Sequence, residues 1–333
     1  MLLSEIRGQN PVIRALTRAL SGDRLPNAYL FQGPSGVGKE RTAIALAKAR
    51  LCPATPGRGC GRCSTCTRID AGNHPDVRVF RPRAEGARNL QVETVRQDIL
   101  PVALYAPFEG SSTFLIFPEA DVSFPDQHPE AANALLKTLE EPRPNVCFVL
   151  LSERPDRLLI TIRSRCQRMR FARLPPLVLE HVLETEGVPK EHWEAALAMA
   201  DGRADRALTF AKDGFANHLL EHAIRIDQRV ERGEPGRLVE LSEELTKNED
   251  MLLILETLAL FYRDVAASAL EVEPHQLCFR AHKEQIDACA KRIGAGRAAA
   301  RARRLAELPE LLARNANPQI TLDHLLLELQ RAS

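Results

Sequence analysis

The chain has 333 residues, enough for two or three domains, and 44% of them are hydrophobic, enough for well-formed cores. A net charge of +1 excludes a polycation that coats nucleic acid. No apolar run approaches the roughly 20 residues of a membrane span, and the start, Met1-Leu2-Leu3-Ser4-Glu5-Ile6-Arg7, lacks the apolar stretch of a secretory signal, so the cytoplasm is expected.

Residues 1–172 alternate apolar runs with helical patterns, predicting an α/β domain with a mainly parallel sheet. Strands are expected at Ala28–Gln32, Val77–Phe80, Phe114–Phe117, Val146–Leu151 and Arg168–Phe171. Helices are expected at Arg41–Leu51, Val92–Ala103 and Glu130–Glu141, the last stopped by Pro142. After Leu174-Pro175-Pro176 the strand-like runs cease. Residues 173–213 read as a small helical unit with turns at Gly187-Val188-Pro189 and Asp201-Gly202, and residues 214–333 as longer amphipathic helices, including Met251–Leu270 and Ile320–Gln330. The basic residues Lys291, Arg292, Arg297, Arg301, Arg303 and Arg304 fall at helical spacing, which reads as a solvated face, with phosphate contact as the alternative.

Three constellations carry chemistry. The first is Gly33-Pro34-Ser35-Gly36-Val37-Gly38-Lys39-Glu40, set between a strand and a helix as a phosphate-binding loop requires. Its glycines can turn backbone amides toward an anion, and Lys39 can reach the outer phosphates. Glu40 stands where Ser or Thr would ligate magnesium. A carboxylate ~5 Å from a phosphate costs roughly 3 kcal/mol per like-charge pair at an effective dielectric of ~20. The expectation is a loop that is empty or holds ATP or ADP weakly, with Mg²⁺ doubtful. The acidic companion motif, Phe114-Leu115-Ile116-Phe117-Pro118-Glu119-Ala120-Asp121, has Pro118 in place of the metal-organising aspartate and keeps Glu119.

The second is Cys52, Cys60, Cys63 and Cys66, half of the eight cysteines, at a spacing that can close a tetrahedral structural Zn²⁺ site. His74 is a ligand only in principle. The third is Ser164-Arg165-Cys166, which has the form of an arginine finger; in isolation, a solvated surface arginine is the ordinary alternative.

Together with Gly8-Gln9, Ala28-Tyr29-Leu30-Phe31, Asn73-His74-Pro75-Asp76 and the string Asn133-Ala134-Leu135-Leu136-Lys137-Thr138-Leu139-Glu140-Glu141-Pro142, these motifs resemble the AAA+ clamp-loader subunits of bacterial DNA polymerase III. The degraded metal positions, the Asn73–Asp76 segment and the end of the chain after one helical region resemble the delta-prime branch more than the gamma/tau ATPases. The resemblance implies an AAA+ module (1–172) with a zinc insert (52–66), a helical lid (173–213) and an all-α collar (214–333). It further implies assembly with gamma/tau and delta subunits into a hetero-pentamer that opens the sliding clamp and loads it on primer-template DNA, with no membrane partner. Arg165 would act in trans at the ATP site of the adjacent gamma/tau subunit, with Ser164 and Cys166 supporting its loop. In the lid, Asp205 falls where a sensor arginine would stand, beside Arg203 and Arg206, and Ser152-Glu153 replaces the threonines of the first sensor. The alternatives are an active gamma/tau-like ATPase and a scaffold in which Arg165 is silent.

Overall fold

The computed structural model describes residues 1–22, 25–82, 89–233, 235–273, 277–313 and 317–331. It divides into two compact units. One comprises Met1–Val178 with Gly202–Asp205, the other Leu179–Asp201 with Arg206–Ser333.

The first unit runs α1 (Asn10–Ser21), β1 (Ala28–Gln32), α2 (Lys39–Leu51), α3 (Ser64–Asp70), β2 (Val77–Val79), a segmented helix, β3 (Thr113–Phe117), α6 (Ala120–Ser123), α7 (Glu130–Glu140), β4 (Val146–Ser152), α8 (Ile160–Ser164) and β5 (Gln167–Arg170). The segmented helix comprises α4 (Val92–Thr94), a π turn (Val95–Ile99) and α5 (Leu100–Leu104). The strands form one parallel sheet in the order β2-β3-β4-β1-β5. Strands β3 and β4 are buried along their whole length. That explains their unbroken apolar runs, because helices cover both faces of a parallel sheet. Edge strand β5 exposes Gln167, Arg168 and Arg170 and buries only Met169, so charge blunts the open edge. The single helix expected over Val92–Ala103 is interrupted at Pro101, which has no N–H for the turn before it.

Beyond β5 the chain is helical: α9 (Pro176–Thr185), α10 (Trp193–Met199), α11 (Ala204–Ala211), α12 (Phe215–Arg232), α13 (Pro235–Thr246), α14 (Met251–Ala269), α15 (Lys283–Ala313) and α16 (Pro318–Arg331). In the second unit Lys291, Arg292, Arg303 and Arg304 are exposed, as a solvated face requires, and Arg301 is the one departure from that reading. Arg301 is fully buried and donates from Nε to the Leu329 carbonyl (2.7 Å) and from Nη2 to Glu231 (2.5 Å). Arg292 reaches Asp227 (2.5 Å), and Arg304 spans Glu307 (2.8 Å) and Glu328 (2.6 Å). These arginines tie α15 to α12 and α16, Arg301 from the interior and Arg292 and Arg304 from the surface. No helix among the described residues is long and apolar enough to cross a membrane.

Candidate functional site

In an open parallel sheet, ligands lie off the carboxyl ends of the strands. Here the neighbouring strands β3, β4 and β1 end at Phe117, Ser152 and Gln32, so Pro118-Glu119, Glu153 and the loop Gly33–Lys39 emerge side by side. The Gly33 amide donates to the Ser152 carbonyl (3.1 Å), fixing the start of the loop to β4. Gln9, missed by sequence reasoning beyond its family resemblance, clips the rest. Its buried amide donates to the carbonyls of Val37 (3.3 Å) and Ala172 (2.7 Å) and accepts from the Ala172 N–H (3.1 Å).

Two side chains pack on the loop, Lys39 from its own end and Asp205 from α11. Lys39 is buried and folds back to donate to the carbonyls of Gly33 (2.6 Å) and Pro34 (2.5 Å). Burial lowers its pKa, and the nearby carboxylates of Glu153, Asp121 and Asp205 act against that. Asp205 lies directly on the loop. A Cβ added at Gly36, whose φ of +66° already favours glycine, would stand 1.7 Å from its Oδ1. The Ser35 hydroxyl donates to Asp205 Oδ2 (3.3 Å), the Ala204 amide donates to the Gly36 carbonyl (3.0 Å), and Arg203 holds the carboxylate from the other side (2.9 Å). The position where the resemblance calls for a sensor arginine thus holds a carboxylate packed against the loop.

The metal positions agree with this picture. Glu40 is engaged by Arg81 in a charge-assisted hydrogen bond. Pro118 contributes no ligand, and Asp121 accepts from the Arg154 amide (3.2 Å). Glu119 remains exposed at the start of α6.

Arg165 follows α8, whose Ile162 is fully buried, so the Ser164-Arg165-Cys166 turn is anchored to the core. The Ser164 hydroxyl donates to the Thr161 carbonyl (3.0 Å), and Cys166 packs against the core, where burial pushes its thiol up to about 12. Both residues support the turn. The Arg165 guanidinium donates from Nη1 to the Thr161 carbonyl (2.9 Å) and from Nη2 to Glu140, yet a third of its side chain stays exposed.

The four cysteines converge: their sulfurs all lie within 4.8 Å of one another, and Cys52 and Cys63 are 3.8 Å apart. A tetrahedral Zn²⁺ with ~2.3 Å Zn–S bonds has sulfur–sulfur edges of about 3.8 Å. Cys52 closes α2 and Cys63 caps α3. The amides of Thr55, Cys63 and Cys66 donate to the sulfurs of Cys52, Cys60 and Cys63 (3.3–3.5 Å), as thiolate ligands require. Burial opposes ionisation of Cys52, but hydrogen bonds from Thr55 outweigh it and lower its thiol to about 6. These residues could hold a metal ion, and its role would be structural, because four protein ligands leave no open position.

His74 is not part of that set. It is buried, accepts from the Asp76 amide through Nδ1 (3.2 Å) and faces Glu109 through Nε2 (3.3 Å). Asp76 in turn accepts from the amides of Glu109 (3.0 Å) and Gly110 (2.7 Å). The Asn73–Asp76 segment therefore braces the turn before β3.

Residues 8–175, half of the chain, match the profile of the family described as DNA polymerase III, delta subunit. The chain belongs to this family. Its similarity to the delta-prime subunit of Bacillus subtilis extends over 97% of this chain and 96% of that one, at 28% identity. Similarity to the delta-prime subunit of Haemophilus influenzae is 30% identity, covering 75% of this chain and 73% of the relative. The tau subunit of Salmonella typhimurium is 36% identical over 62% of this chain but only 31% of tau. The chain is thus a DNA polymerase III subunit on the delta-prime side of the family.

Proposed function

We propose that the chain is the non-motor partner of the clamp loader. Its arginine serves a neighbour's nucleotide, while its own phosphate loop is retained as structure. The observation that carries this is the contrast between two sites in one unit. In the loop Gly33–Glu40, Lys39 folds back on the loop carbonyls and Asp205 packs against Gly36, and Pro118 stands where the metal acid would be. Arg165 sits on a braced turn with its guanidinium partly exposed. A guanidinium delivered to a transferring phosphoryl group stabilises charge in the transition state and is worth roughly 10³–10⁵ in rate.

In this reading residues 1–172 form the AAA+ module, 173–213 the lid and 214–333 the collar. The collar assembles with gamma/tau and delta, and the arc opens the sliding clamp around primer-template DNA in response to ATP held by gamma/tau. Cys52, Cys60, Cys63 and Cys66 bind a structural Zn²⁺. Arg165 enters the adjacent gamma/tau ATP site. The test is ATP hydrolysis by the isolated chain at saturating Mg²⁺-ATP, where background turnover is expected. Sustained turnover that Lys39→Ala abolishes would overturn the reading in favour of an active ATPase.

A further inference from the structure

Glu140 belongs to the string Asn133–Pro142, the most distinctive stretch of the sequence, and neither the phosphate loop nor the finger gives that stretch a task. It ends α7, whose Ala131, Ala132, Leu135 and Leu139 are buried in the same core cluster as Leu158 and Ile162 around α8. The two helices are therefore fixed to one support, and across them the Glu140 carboxylate accepts from Arg165 Nη2. Arg165 Nη1 is held on the other side by the Thr161 carbonyl (2.9 Å) and the Ser164 hydroxyl (3.3 Å).

An unrestrained arginine carries rotamer entropy that must be lost each time it meets a phosphate. A planar guanidinium fixed by a carbonyl on one nitrogen and a carboxylate on another has lost most of that freedom beforehand. Of the five N–H donors of a guanidinium, these contacts leave some for an outside anion, and a third of the side chain remains open to reach one. Glu140 is itself half exposed, so the pair contributes little to stability. Its geometric effect on Arg165 is correspondingly separable from folding.

We propose that Glu140 is a positioning residue for Arg165: it sets the guanidinium in the orientation in which it meets the phosphoryl group of the neighbouring subunit. This rests on the reading that Arg165 acts in trans. Glu140 touches no nucleotide and takes no proton in the reaction.

The experiment is steady-state ATP hydrolysis by the purified complex of this chain with gamma/tau, delta and the sliding clamp, on primed DNA. Glu140→Ala is expected to lower kcat roughly tenfold, as loss of orientation does, with KM for ATP changed less than about twofold. Glu140→Gln, which keeps an acceptor oxygen, should recover most of the rate. Glu140→Ala combined with Arg165→Ala should be no slower than Arg165→Ala alone, since the first acts only through the second. Wild-type kcat for Glu140→Ala in a complex that Arg165→Ala slows would overturn this inference and leave the finger standing. So would a further drop in the double variant, or a Glu140→Gln variant as slow as Glu140→Ala. An Arg165→Ala complex that hydrolyses ATP normally would remove the trans reading itself, and the role of Glu140 with it.

Discussion

Replacing Arg301 with methionine removes a guanidinium from the interior of the second unit while keeping much of its volume. The side chain is fully buried, and four groups depend on it: the Leu329 carbonyl (2.7 Å), Glu231 (2.5 Å), the Tyr262 hydroxyl (3.4 Å) and Asp227 (3.7 Å). Removing one partner of a buried ion pair costs about 3–5 kcal/mol, because the other charge is left uncompensated. Asp227 keeps the Tyr262 hydroxyl (3.0 Å) and Arg292 (2.5 Å), whereas among the described residues Glu231 retains Arg292, at 4.0 Å, as its ion-pair partner. The expected loss is therefore ~3 kcal/mol, at the lower end of that range. The only tryptophan, Trp193, lies in the same unit and reports its unfolding in urea. Exposed Arg303→Met serves as the control and should shift stability by less than about 0.5 kcal/mol. If Arg301→Met unfolds at the same urea concentration as that control, the buried network around Arg301 is refuted.

Three further outcomes follow from the first unit. The purified chain should carry close to one zinc ion, and Cys63→Ser or a strong chelator should remove it and destabilise the unit; metal-free protein of unchanged melting temperature would refute the site. Asp205→Ala removes the anion resting on the phosphate loop, so affinity for ADP measured by calorimetry should rise by roughly tenfold; equal affinity would show that Asp205 does not compete with phosphate. Burial holds the His74 pKa below its ordinary value, although Glu109 pulls it upward. The folded state then binds fewer protons than the unfolded one, so stability is full above about pH 6.5 and falls as the pH drops below that value. His74→Asn should flatten this acid limb of a pH–melting curve, and an unaltered limb would contradict the assignment.

The sheet was legible because its signals are local. Strand β1 spans the predicted Ala28–Gln32, and the apolar runs of β3 and β4 differ from expectation by one residue at an end. The phosphate loop and the cysteine set could be read from spacing alone, since their chemistry lies within a short stretch of chain. What escaped depends on long-range packing. The resemblance marks Asp205 as a sensor position, but no local pattern announces that its carboxylate rests on Gly36, about half the chain away. Arg301 in an alanine- and arginine-rich helix looks like a solvated charge, and only the arrival of Glu231 and Leu329 from other helices makes it a core residue. The interruption before α5 was visible in principle, because Pro101 cannot donate within a continuous helix.

Whether Arg165 works on a neighbour's nucleotide is decided by single-turnover ATP hydrolysis in the assembled complex carrying Arg165→Ala. With gamma/tau and delta still bound and ATP still held, the account predicts that hydrolysis at the site facing this chain slows by about 10³-fold or more. Hydrolysis at the wild-type rate at that site, in an intact complex, would contradict it.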